Sequence, residues 1–105
     1  MILSYRVLAE ADEEVDRAAG YYGLRTAHGA HRFLRDYFRV RDYARENARA
    51  GRRMPQHTGR EIRAFPFDDF RHTMIVAVLQ DELVVVAVAH QSRKPGHWIA
   101  RLKHL

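Results

Sequence analysis

Apolar positions along the chain change their spacing several times, and each change marks an element. Residues 2–8 alternate, with Leu3, Tyr5 and Val7 on one side and Ile2, Ser4 and Arg6 on the other; this predicts a first strand. Over residues 10–22 the spacing becomes helical. Ala11, Val15, Ala18, Ala19 and Tyr22 share one face, while Asp12, Glu13 and Asp16 face water. Acids crowd the first turns, where the helix dipole favours negative charge. Gly20 weakens the end of this helix and Gly23 is its expected stop. Thr26 is expected to cap a second, longer helix. In that helix Ala27, Ala30, Phe33, Leu34, Tyr37, Phe38 and Arg41 follow the i, i+3, i+4, i+7 rule, opposite Arg32, Arg35, Arg39, Asp42 and Glu46. The pattern fades near Ala50, and Gly51 ends it. Two helices joined by so few residues form an antiparallel hairpin.

A polar loop follows over residues 51–60, punctuated by Gly51, Pro55 and Gly59. Three strand-like segments come next, at 61–65, 71–79 and 83–89. In the second of them Phe70, His72, Met74, Val76 and Val78 alternate with Arg71, Thr73, Ile75, Ala77 and Leu79. The short turn Gln80-Asp81-Glu82 joins the last two strands into a hairpin. Val84, Val85 and Val86 in succession predict a central strand covered on both faces. The order β-α-α-β-β-β, with a short C-terminal tail or helix, defines an α+β domain. Its helical hairpin is expected on one face of a small, twisted, mainly antiparallel sheet. The other face is expected to stay open as the functional surface. With no internal repeat, low-complexity tract or linker, residues 1–105 read as a single domain.

Composition narrows the function classes. There is no cysteine among the 105 residues, which leaves no disulfide framework or thiolate metal site and suits a reducing cytoplasm. The first residues lack the pattern of a signal peptide. The longest apolar run, 83–89, is far short of a membrane span. A cytoplasmic protein with no membrane partner is therefore expected. Charge is uneven: residues 1–16 carry one arginine against five acids, and residues 17–63 carry twelve arginines against four. A basic middle of this kind suits a polyanion such as nucleic acid. Sixteen of the eighteen basic residues are arginine, a bias that genomic base composition also produces.

Several segments, in this order and at this length, resemble the RelE/ParE superfamily of toxins from type II toxin–antitoxin modules. They are Ala11-Asp12 with the acidic helix ending in Tyr21-Tyr22, then Ala30-His31-Arg32-Phe33-Leu34, then Gly59-Arg60-Glu61-Ile62-Arg63-Ala64-Phe65-Pro66. The last is His90-Gln91-Ser92-Arg93-Lys94-Pro95-Gly96-His97-Trp98. The resemblance implies a growth-inhibiting toxin held silent by a cognate antitoxin. RelE-like members cut messenger RNA on the ribosome, whereas ParE-like members inhibit DNA gyrase without being nucleases. Of the two targets, ribosome and mRNA are the first expectation and gyrase the alternative; a non-toxic binding relative is a further one.

A ribonuclease without a metal needs a base for the 2′-hydroxyl, cations for the phosphate and an acid for the leaving oxygen. Arginine suits the second task because its fork matches two phosphate oxygens and stays charged. The expected catalytic set is Arg63, Arg71, Arg93 and His97. Arg71 and Arg93 enter through the resemblance; Arg63 and Arg71 also read as exposed or ion-paired strand residues. RelE-like toxins carry a C-terminal tyrosine where this chain has His97-Trp98, and lysines after the second helix where it has Arg52, Arg53 and Arg60. Histidine can stand in for tyrosine, being tuned for proton transfer near neutral pH. Arg52, Arg53, Arg60, His90, Lys94 and Trp98 are the expected nucleic-acid contacts. His90 otherwise reads as an orienting partner or a half-buried strand residue, and Trp98 as a base-stacking ring or an anchor for the tail. No cofactor is expected. His28 and His31, without cysteine or a convergent carboxylate, do not make a metal site.

Overall fold

A computed structural model describes residues 2–54 and 59–105. Strand β1 (Ser4–Val7) leads into helices α1 (Ala9–Arg25) and α2 (Gly29–Glu46). A 3-10 turn, Ala48–Ala50, precedes β2 (Arg52–Arg53), β3 (Ile62–Pro66), β4 (His72–Val78) and β5 (Glu82–His90). The chain ends in a 3-10 turn, Ile99–His104. The five strands form one sheet in the order β1-β5-β4-β3-β2, in which β1 runs parallel to β5 and every other pair is antiparallel. The α+β architecture with an N-terminal helical hairpin is thus the one expected, with β2 as an addition. Of the expected loop, Pro55 lies outside the described residues.

The helices pack as their periodicity demands. Ala11, Val15 and Ala19 form the buried stripe of α1, and Phe33, Tyr37, Val40 and Ala44 that of α2. They meet Phe65, Met74, Val76, Val78, Leu83, Val85 and Val88 from the sheet. Two helix boundaries differ from expectation. Gly23 does not stop α1; it lies inside the helix, where a Cβ would press on Ala30 of α2 at 3.2 Å. It lets the two helices approach closely. Thr26 closes α1 instead of capping α2, its amide donating to the Tyr22 carbonyl. α2 begins after His28, which adopts φ +67, and at Gly29, where any side chain would collide with the Tyr22 carbonyl oxygen. At its other end α2 stops at Glu46, short of Ala50. The Arg45 carbonyl accepts from the Leu3 amide, and the Arg45 side chain donates to the Leu3 carbonyl, which fixes this end beside β1.

The second face of the sheet is not open. Leu8, Ile62, Ala64, Ile75, Ala77, Val84, Val86 and Ala87 form a second core there, sealed by Trp98 and Leu102 from the tail. The run of valines explains how β5 feeds both faces. Its register with β4 steps from Ile75↔Ala87 to Val76↔Val85, leaving Val86 as the extra residue of a bulge. A bulge breaks strict alternation, so Val86 and Ala87 both serve the tail-side core while Val85 and Val88 serve the helix side.

Candidate functional site

β5 outruns its neighbour. β1 pairs with it only from Glu82 to Val85, and the Leu8 amide closes that ladder by donating to the Val85 carbonyl. Beyond this point the edge of β5 needs other partners, because unpaired buried backbone groups are costly. Two side chains supply them. Glu14 of α1 accepts from the Val88 amide at 3.0 Å, and Arg101 of the tail donates to the Val86 carbonyl at 3.1 Å. Glu14 and Arg101 also bind each other through two bonds, of 2.8 and 3.1 Å. Both side chains are largely buried. The carboxylate bond holds the Arg101 pKa above its ordinary value, against the effect of burial.

Around this pair stand two of the expected catalytic residues. Arg93 Nη1 and His97 Nε2 each lie 3.8 Å from Glu14 Oε2. The His97 Nδ1 lies 3.1 Å from the Lys94 carbonyl, which can only accept, so Nδ1 carries the proton. Its Nε2 is buried and has no hydrogen-bond partner. Burial pushes the His97 pKa below its ordinary value; Arg93 and Arg101 push the same way, while the Lys94 carbonyl and Glu14 oppose. His97 Nε2 thus faces the Glu14 carboxylate at 3.8 Å without a hydrogen bond to it.

A groove of about 420 Å³ lies between the tail and the sheet. Its floor includes Met54, Ala64, Ile75 and Ala89, and its rim carries Arg52, His90, Arg93 and Lys94. His90 accepts from the Ser92 amide at Nδ1 and contacts the Ser92 hydroxyl at 2.9 Å. The proton then sits on Nε2. His72, opposite His90 in the β4–β5 register, is 6% exposed and sits against Tyr22, Phe33 and Phe67. Burial, aided by His90 and opposed by Glu14, pushes its pKa down to about 4.

The structure gathers Arg52, His90, Arg93, Lys94, His97 and Trp98 along this groove. It does not bring Arg63 or Arg71 into it. Arg63 pairs in register with Val76 of the helix-side core and donates to Glu61 and the Gly51 carbonyl. Arg53 stands opposite it in β2. Arg71 is exposed at the start of β4 and Arg60 is exposed before β3. Trp98 is only 2% exposed and sits in the second core, as the anchor alternative expects, with little of its ring open to a nucleobase. The periodic reading of α1 missed Glu14, and nothing in the tail pointed to Arg101. A carboxylate flanked by other acids near the start of a helix carries no local sign that its partner lies 87 positions away. Asp36 was missed in the same way. It is 2% exposed on the buried stripe of α2, where it pairs with Arg39 and accepts from the Asp69 amide.

No protein-family model matches the chain, and no curated protein matches it. Among solved structures it is similar to a chain of the chromosomal ParDE TA system from P. aeruginosa, with a TM-score of 0.65 and 14% identity. The match covers 85% of this chain and 96% of that one. At this identity the likeness is one of fold, and the fold is the one the RelE/ParE resemblance implies. Among the described residues, no helix is long and apolar enough to cross a membrane.

Proposed function

We propose that this chain is the toxin of a type II toxin–antitoxin module, that an acidic amphipathic segment of its antitoxin lies in the groove, and that the toxin acts on its target by binding. The groove carries this reading: an apolar floor of Met54, Ala64, Ile75 and Ala89 lies under a rim of Arg52, Arg93 and Lys94. Such a surface suits a segment that buries aliphatic side chains and pairs its acids with the rim. The ParDE likeness in fold agrees with it, and DNA gyrase is the target that the ParE resemblance implies.

Binding is favoured over cleavage because the expected nuclease groups do not converge. His97 has one nitrogen on a backbone carbonyl and the other buried towards Glu14, so neither serves a 2′-hydroxyl in the groove. Arg63 is engaged on another part of the sheet. One observation favours the second reading, ribosome-dependent mRNA cleavage. His90 has Nδ1 fixed by Ser92 and is itself exposed beside Arg93, which makes it the better placed acid–base group.

Induction of the chain in cells, with and without co-expression of its neighbouring short reading frame, tests both levels. Growth arrest relieved by the neighbour supports the module. An SOS-type DNA-damage response then supports binding to gyrase, whereas rapid loss of protein synthesis with cut transcripts overturns the binding reading in favour of cleavage. No growth arrest at confirmed expression overturns the toxin assignment.

A further inference from the structure

The groove has one permanent wall and one attached wall. The sheet supplies the first; residues 91–105 supply the second, and they return to the sheet at few points. Trp98 and Leu102 enter the second core, and Arg101 reaches the Val86 carbonyl. Glu14 is where the polar contacts converge. It binds Arg101 with both oxygens, holds the Val88 amide, and lies 3.8 Å from both Arg93 and His97. One carboxylate on α1 thus faces three tail side chains and the unpaired edge of β5. In place of a further strand, the edge is completed by a carboxylate that accepts like a carbonyl and a guanidinium that donates like an amide.

We propose that Glu14 is the positioning residue of the groove: it fixes the tail against the β5 edge and so sets where Arg93 stands on the rim. The inference goes beyond the proposed function, because it concerns the free chain and holds whatever the target is. Removing the charge leaves Arg93, Arg101 and His97 around a neutral side chain. The two arginines then repel without a counter-ion, and the buried Arg101 loses its forked acceptor.

Trp98 is the only tryptophan of the chain and sits on the segment in question, so its fluorescence reports the docking of the tail directly. The test uses the full chain carrying Glu14→Gln, which keeps an acceptor for the Val88 amide, and separately Arg101→Lys, which keeps the charge and loses the fork. Expected for Glu14→Gln are red-shifted Trp98 emission, several-fold greater acrylamide quenching, and at least tenfold faster hydrogen exchange at the Arg101 amide, which donates to the Trp98 carbonyl. Amides of β3 and β4 should keep wild-type protection. Arg101→Lys should move Trp98 in the same direction by less. Wild-type Trp98 emission and quenching in Glu14→Gln would overturn the proposal. So would loss of β3 and β4 protection together with Trp98 exposure in both variants, since Glu14 would then support the whole fold and not the tail. Neither readout involves the antitoxin or the cellular target, so this proposal and the proposed function can fail separately.

Discussion

The helix side of the sheet is sealed by large interlocking side chains. Phe33 packs against the rings of Tyr22, Phe67, Phe70 and His72, and the apolar side chains of α1 and α2 join those of β3, β4 and β5 in one core. The tail side is sealed by far less: mostly alanine and valine on the sheet, Trp98, Leu102 and the partly buried Leu105 of the tail, and the Glu14–Arg101 pair at the β5 edge. Apolar burial is non-directional and adds up over many contacts. A buried ion pair depends on geometry and fails when either partner goes. The first face therefore holds the fold, while the second holds a surface in place.

The comparison breaks most visibly at Phe33, which is fully buried. Phe33→Ala should cost about 3–5 kcal/mol and lower the urea midpoint of the whole chain, with helix and sheet signals lost together. Trp98→Ala deletes a comparable volume from the thinner face. It should cost about 3 kcal/mol, but hydrogen exchange should accelerate first in residues 91–105 and at Val88, before the β3 and β4 amides. If both variants unfold in a single step at all probes, the two faces are one cooperative unit and the distinction fails.

His72 sharpens the helix-side half through pH. Its pKa is about 6.5 in the unfolded chain and pushed down to about 4 in the fold. The unfolded state therefore binds the extra proton between these values. The stability from keeping His72 neutral is present above the unfolded pKa and is lost as pH falls from about 6.5 to about 4, amounting to roughly 3 kcal/mol at the acid end. Urea midpoints across that window should fall with pH in the wild type and markedly less in His72→Phe; equal slopes would mean that this imidazole is already solvated in the fold. The smallest effect on stability belongs to the groove rim. Arg93 is half exposed, so Arg93→Ala should change stability by less than about 0.5 kcal/mol. Under the proposed function it should nevertheless weaken binding of the acidic antitoxin segment at least tenfold by calorimetry.

Much of the fold was legible in the pattern of side chains. The period shift at residue 10 marks α1, the i, i+3, i+4 spacing from Ala30 to Tyr37 marks α2, and alternation through Met74 and Val76 marks β4. These signals are local, because each element must show one face to the core. Boundaries were less legible. Gly23 reads as a stop in isolation and is in fact a point of helix contact. At the site, sequence singled out Arg93, Lys94 and His97 as a cationic cluster after a buried strand, and the groove gathers them. The run Val84-Val85-Val86 called for cover on both faces of β5, but spacing did not show that the tail would supply it, since Trp98 and Leu102 are too few to form a period.

The sequence alone determined the elements, the faces they bury and the presence of a basic segment at the end of the sheet, because backbone geometry turns spacing directly into facing. Only the tertiary structure decided what that segment does. Glu14, Val86, Val88, Arg93, His97 and Arg101 meet because β1 ends at Val7 while β5 continues to His90. The exposed edge has to be completed by whatever the fold brings to it. At that meeting point His97 is held beside a carboxylate and Arg93 stays on the rim, an outcome that long-range geometry sets and residue spacing does not encode.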